Sequence, residues 1–144
     1  MPSDDEELQR IRERMLRQFM SQGREPSMEV RVVNTEPVPL TDSDFDSFVS
    51  SKRYVVVDFW APWCAPPCRM VSPIVEQLAK DYAGKIDFAK VNVDDNPPMV
   101  ASRFMIRSIP TIMFFANGKP VDAVIGAVPR AFLETKIKRN FVLN

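Results

Sequence analysis

The stretch Val55-Val56-Val57-Asp58-Phe59-Trp60-Ala61-Pro62-Trp63-Cys64-Ala65-Pro66-Pro67-Cys68-Arg69-Met70 decides how the rest of the chain is read. A β-branched apolar run leads into it, which predicts a strand covered on both faces. A helical period leads out of it: Val71, Ile74, Val75, Leu78 and Tyr82 share one face. The only two cysteines of the chain sit at the crossing, four positions apart, with an aspartate and two tryptophans just before them. Two thiols at the end of a buried strand and the mouth of a helix suit thiol–disulfide exchange. That reaction needs one accessible thiolate to attack and a second thiol to resolve the mixed disulfide. A helix N-terminus lowers a thiol pKa and so supplies the attacking form. The bland reading is a pair of reduced cysteines packed as small hydrophobes. Two tryptophans and three prolines around the strand end describe a rigid apolar lip instead, and favour the redox reading.

Composition narrows the field. A chain of 144 residues, 45% hydrophobic and 26% charged, fits one globular domain with a core of its own. Lys+Arg and Asp+Glu balance at 19 each, so charge asks for neither nucleic acid nor an anionic membrane. No apolar run reaches the ~20 residues that span a bilayer. The charged first residues lack an apolar h-region, and the expected location is cytoplasmic. Two cysteines do not make a disulfide framework there; a close pair signals redox or metal chemistry. The chain has no histidine, which removes Ser-His and Cys-His nucleophiles and the common zinc ligand sets.

Working outward, residues 1–23 predict a helix with a Ser3/Glu6 capping box, an apolar stripe at Leu8, Ile11, Met15 and Phe19 widened by Leu16 and Met20, and a stop at Gly23. It reads as a solvated extension, with a docking helix as the sharper alternative. The domain division is 1–29, extension and linker, and 30–144, the body. Val30–Val33 predicts a short strand, and residues 36–40, with two prolines, an extended run. Residues 41–44 predict a helix start with Phe45, Phe48 and Val49 inward. A helix from Pro67 to about Tyr82 contains Pro73, which predicts a kink. Residues 86–93 predict a strand, Asn96-Pro97-Pro98 a short helix to about Phe104, and 111–115 and 121–125 strands joined by an Asn117-Gly118 hairpin. Pro129 opens a last helix with Phe132, Leu133, Ile137 and Phe141 inward. The order β, α, β, α, β, α, β, β, α implies an α/β fold, a central mixed sheet with helices on both faces, after an N-terminal helix.

Several separated motifs, in order, resemble the thioredoxin family. Val57 to Cys64 resembles its strand and first catalytic cysteine, and Cys68-Arg69-Met70 with Pro73 its second cysteine and kinked helix. Residues 89–94 resemble the next strand, Ile109-Pro110-Thr111 the cis-proline turn, and Asn117-Gly118 with Gly126 the hairpin and closing turn. The resemblance covers roughly residues 30–141 and implies the thioredoxin fold. It implies a protein-disulfide reductase with Cys64 as nucleophile and Cys68 as resolving thiol. Asp58 would be the buried carboxylate that exchanges protons with Cys68, with Lys90 as its neighbour. Pro110 would be cis, leaving the backbone of Ile109 free to pair with an extended substrate, and Trp60, Trp63 and Ile109 would line the docking surface. Disulfide-containing proteins as substrates, a thioredoxin-reductase-like electron donor, a monomer, and neither cofactor nor metal follow from the same resemblance.

One departure stands out. The family spacing has two residues between the cysteines; here there are three, Ala65, Pro66 and Pro67. Proline disfavours helical geometry in the residue before it, so the helix is expected to begin only at Pro67. Cys64 is then left one residue further out, with a pKa nearer the unperturbed ~8.5 and a disulfide whose strain raises its potential. The spacing also resembles copper-delivery proteins on this scaffold, which hold Cu(I) with two thiolates and a histidine. A docking module without turnover is the third alternative.

Overall fold

The computed structural model describes residues 4–21, 33–94 and 99–143. The chain divides into two units, residues 1–33 and 34–144. In the first, α1 (Asp4–Ser21) forms where the stripe predicts it, and Leu8, Ile11 and Met15 are about half exposed, at 53%, 47% and 50%. Ser3 and Gly23, the predicted cap and stop, lie outside the described residues.

The second unit runs β1 (Val38–Leu40), α2 (Phe45–Ser51), β2 (Tyr54–Trp60), α3 (Ala65–Asp81), β3 (Asp87–Asn92), α4 (Met99–Arg103), β4 (Thr111–Ala116), β5 (Lys119–Ile125) and α5 (Arg130–Asn140). The five strands form one sheet in the order β1-β3-β2-β4-β5. β1 and β2 run parallel to β3, while β4 is antiparallel to both β2 and β5, so the sheet is mixed as expected. The first strand differs from its predicted place. Most of Val30–Val33 lies outside the described residues, Val33 is in no strand, and the strand forms at Val38–Leu40. Pro39 is tolerated because β1 is an edge, where a missing amide breaks no ladder.

The period of two along β2 divides the core. Val55, Val57 and Phe59 join Phe45 and Val49 of α2, Val100 of α4, Met113 and Phe115 on one face. Tyr54 and Val56 join Val71, Val75 and Leu78 of α3, and Leu133 and Ile137 of α5, on the other. Asp58 follows that alternation onto the α3 face, which places a carboxyl inside the domain. Phe132 departs from its expected inward place: it is 47% exposed, with the Lys136 ammonium 5.9 Å from its ring centroid. The neighbouring Leu133 takes the core position instead.

Three local devices hold the elements near the strand ends. Asn117 and Gly118 both adopt positive φ, 53° and 82°, as a tight hairpin between β4 and β5 requires. The Asp42 carboxylate accepts the Val100 amide at 3.0 Å and so caps the start of α4 from 58 residues away. Arg103 pairs with Asp46 at 2.8 Å, joining α4 to α2.

Candidate active site

The strand β2 ends at Trp60, whose carbonyl accepts the Val93 amide at 2.8 Å. A turn follows in which the Cys64 amide donates to Ala61 O at 3.1 Å. The chain then enters α3 directly. Cys64 is the N-cap of that helix, and its carbonyl accepts the Cys68 amide at 3.3 Å. This corrects the expected start at Pro67. Pro66 and Pro67 occupy the second and third helical positions, where amides have no helical acceptor, so their missing N–H groups cost the helix nothing. The proline bias against helical geometry in the preceding residue is outweighed there. The extra residue is wound into the first turn, and Cys64 sits at the helix end rather than beyond it.

Four residues apart on that turn, Cys64 and Cys68 lie one above the other with a Cα–Cα distance of 5.6 Å, and their sulfurs are bonded. Both are mostly covered, at 7% and 5% exposure, while Pro62, Trp63, Pro66 and Pro67 around them are exposed. The helix continues unbroken through Pro73. Ser72, just before it, donates its hydroxyl to Cys68 O at 2.9 Å.

Across from the cysteines the Ile109–Pro110 peptide is cis. The Ile109 carbonyl oxygen lies 3.6 Å from Cys64 Sγ. Among the described residues no group pairs with the Ile109 amide. Pro110 is buried, and its carbonyl accepts the Gly126 amide at 2.8 Å, which brings Gly126 and the exposed Ile125 beside this turn. Trp63 stands 67% exposed next to Cys64.

Beneath α3, Asp58 is 4% exposed and its Oδ1 has no hydrogen-bond partner. Burial pushes its carboxyl up to about 7, and the Lys90 charge offsets part of that rise. Lys90 is the register partner of Asp58 on β3. A cavity of about 90 Å³ opens beside them, lined by Asp58, Trp60, Ser72, Val75, Glu76 and Lys90 among others. Trp60 belongs here rather than on the outer lip: it is only partly exposed, and its indole Nε1 is buried without a partner. Asp58 and Trp60 both line this cavity, and each keeps one buried polar atom, Oδ1 and Nε1, without a hydrogen-bond partner. Ser72 and Glu76 escape a reading of the sequence, because single polar residues on a helix carry no pattern.

The structure therefore brings Cys64, Cys68, Ile109, Pro110 and Trp63 together at one end of the sheet. It places Asp58, Lys90 and Trp60 in the pocket behind them. Among the described residues no three His, Cys, Asp or Glu side chains group as metal ligands.

Known proteins resemble this chain in sequence and in fold. The family model described as "Thioredoxin" matches residues 36–139. A chloroplastic M-type thioredoxin of Pisum sativum is 51% identical over 118 residues, 81% of this chain and 63% of that protein. "Thioredoxin 1" of Nostoc sp. is 52% identical over 102 residues, 70% of this chain and 94% of that protein. The chain thus spans less than two thirds of the pea relative. Among solved structures, a mutant thioredoxin from Halobacterium salinarum superposes with a TM-score of 0.70 at 32% identity, covering 80% of this chain and 99% of that one. With the family model matching residues 36–139 and about half of all aligned residues identical in both relatives, the chain belongs to the thioredoxin family.

Proposed function

We propose that this protein is a thiol–disulfide oxidoreductase that reduces protein disulfides through Cys64 and Cys68. The observation that carries the reading is the cysteine pair on the first turn of α3, with Cys64 Sγ 3.6 Å from the Ile109 backbone. An extended substrate can pair with Ile109 by strand addition and present its disulfide to Cys64, with Trp63 as an apolar contact.

The reduced pair reacts in two displacements. The Cys64 thiolate attacks one substrate sulfur; the substrate S–S bond breaks and the other sulfur leaves as a thiolate that takes up a proton. The product is a Cys64–substrate mixed disulfide. Cys68 then loses its proton, attacks Cys64 Sγ, and releases the second substrate thiol. Two electrons have passed to the substrate and Cys64–Cys68 is the disulfide. Asp58, with its carboxyl near 7, is matched to accept the Cys68 proton at neutral pH, beside a cavity that the polar side chains of Ser72, Glu76 and Lys90 also line. Returning the pair to the dithiol requires an external dithiol, which a thioredoxin-reductase-like donor supplies.

We read the protein as a monomer acting on disulfide-containing proteins in a compartment that keeps thiols reduced. That compartment is the cytoplasm, or a plastid as in the relatives named chloroplastic; a fluorescent fusion of the full chain distinguishes them. No described helix is long and apolar enough to cross a membrane. The functional reading is tested by reduction of a disulfide-bonded protein with a small dithiol as electron source. Catalysis above the dithiol alone supports it, and none opposes it.

A further inference from the structure

Cys68, Ser72 and Glu76 recur at every fourth position of α3, so their side chains form one row on the helix, each leaning toward the turn before it. The row begins at the resolving thiol, which is 5% exposed, and ends at an exposed carboxylate. Ser72 and Glu76 line the cavity that Asp58 and Lys90 also line, but Cys68 does not. The thiol that must lose a proton and the carboxyl matched to take it therefore do not share one space. Ser72 reaches both, as the next member of the row after Cys68 and as part of the cavity wall. Its hydroxyl donates to Cys68 O at 2.9 Å. That carbonyl is also the helical acceptor of the Ser72 amide, so the helix does not depend on the hydroxyl bond and the hydroxyl is free to turn from it. A serine hydroxyl has one rotatable donor and two acceptor lone pairs, which is what passing a proton requires. On the far side, Asp58 Oδ1 is buried with no donor. The cysteines here are bonded to each other, the state in which Cys68 has no proton to pass.

We propose that the Ser72 hydroxyl relays the proton of Cys68 to Asp58 during the resolving step. This rests on the redox reading above and supplies the route that its second displacement needs. Cys68 Sγ gives its proton to Ser72 Oγ as Ser72 passes its own hydroxyl proton to Asp58 Oδ1. Cys68 is left a thiolate, Ser72 a hydroxyl again and Asp58 a neutral carboxylic acid, so proton and charge balance. The Cys68 thiolate then attacks Cys64 Sγ. The Cys64–Cys68 bond forms, the Cys64–substrate bond breaks, and the substrate sulfur leaves with the electron pair. The titratable groups that share the cavity with Asp58 are Lys90 of β3 and Glu76 of α3. Neither can replace Ser72 in this step: Lys90 lies beside Asp58 on the sheet, and Glu76 stands one turn further from Cys68.

The test isolates the resolving step. Reduced protein is mixed with a small symmetrical aromatic disulfide whose released thiolate absorbs visible light. Attack by Cys64 releases one aromatic thiolate and resolution by Cys68 the other, so stopped-flow absorbance separates the two steps. The second is identified by a rate that does not depend on protein concentration. The parent, Ser72→Ala, Ser72→Thr, Asp58→Asn and the Ser72→Ala/Asp58→Asn double variant are compared, with circular dichroism checking that each is folded. At pH 7, Ser72→Ala is expected to slow the second step at least about tenfold and to leave the first unchanged. Ser72→Thr, which keeps a hydroxyl, should retain the parent rate. Ser72→Ala should add nothing to the loss caused by Asp58→Asn, because a relay has no role without its acceptor. At about pH 10, where hydroxide takes the thiol proton directly, Ser72→Ala and the parent should converge. An unchanged second step in Ser72→Ala overturns the proposal, as does an equal loss when Asp58 is already absent, a loss that persists at high pH, or an Asp58→Asn variant that resolves at the parent rate. Dithiol-driven turnover of a disulfide-bonded protein by the unaltered chain is measured alongside. Its absence would refute the redox reading, whereas the resolving step decides the role of Ser72 either way.

Discussion

Asp58 of β2 and Lys90 of β3 are register partners across the parallel pair, yet no salt bridge joins them, and Asp58 Oδ1 is left without a partner. The carboxyl is thus buried without the hydrogen bonds that keep buried carboxylates ionised, and it is raised from 3.8 to about 7 by that burial. A structure organised only for stability has no use for such a group.

The stability consequence has a definite sign. The folded-state pKa lies above the unfolded one, so between about pH 4 and pH 7 the folded protein holds a proton that the unfolded chain has lost. Stability contributed by this group is full below pH 4, falls through that window and levels off above pH 7. The rise from 3.8 to about 7 corresponds to about 4 kcal/mol. Asp58→Asn is therefore expected to match the parent near pH 4 and to gain stability over it, by up to a few kcal/mol, at pH 8. Denaturant midpoints at the two pH values check this. The same variant should resolve mixed disulfides more slowly at pH 7.

Core and surface positions on α5 should separate cleanly. Ile137 is fully buried against α3 and the sheet, whereas Phe132 is 47% exposed. Ile137→Ala is expected to cost about 2–5 kcal/mol. Phe132→Ala is expected to stay within about 0.5 kcal/mol. Urea unfolding of the two variants measures both.

Removing residues 1–23 should leave the thermal midpoint and the dithiol-driven activity unchanged. The truncation falls within the first unit, and the second unit holds both core clusters and every site residue. A lowered midpoint would assign the Leu8–Ile11–Met15 face to the core.

Much of this is legible in the sequence because the informative residues come in patterns. The apolar run before Asp58 announces a central strand, the two cysteines mark its end, and Asn117-Gly118 names the hairpin. Two of the misplacements come from proline. Pro37 and Pro39 make residues 36–40 look unlike a strand, although an edge position tolerates them. Pro66 and Pro67 make the helix look late, although the first turn has no use for their amides. Trp60 is expected on the lip and found in the pocket, because sequence cannot tell which side of a strand end an indole faces. Asp42 capping α4 has no local signal at all, since its partner is 58 residues away. Asp42→Ala should lower stability by about 1–2 kcal/mol, read from the urea midpoint.

The division of labour between the two cysteines is tested most directly by trapping. Cys64→Ser and Cys68→Ser variants are reduced, mixed with a disulfide-bonded protein, quenched with acid and examined on non-reducing gels. Cys68→Ser is expected to accumulate a mixed disulfide through Cys64 that a dithiol releases, and Cys64→Ser to form none. Trapping by Cys64→Ser, or by neither variant, would contradict the assignment of Cys64 as the attacking thiol.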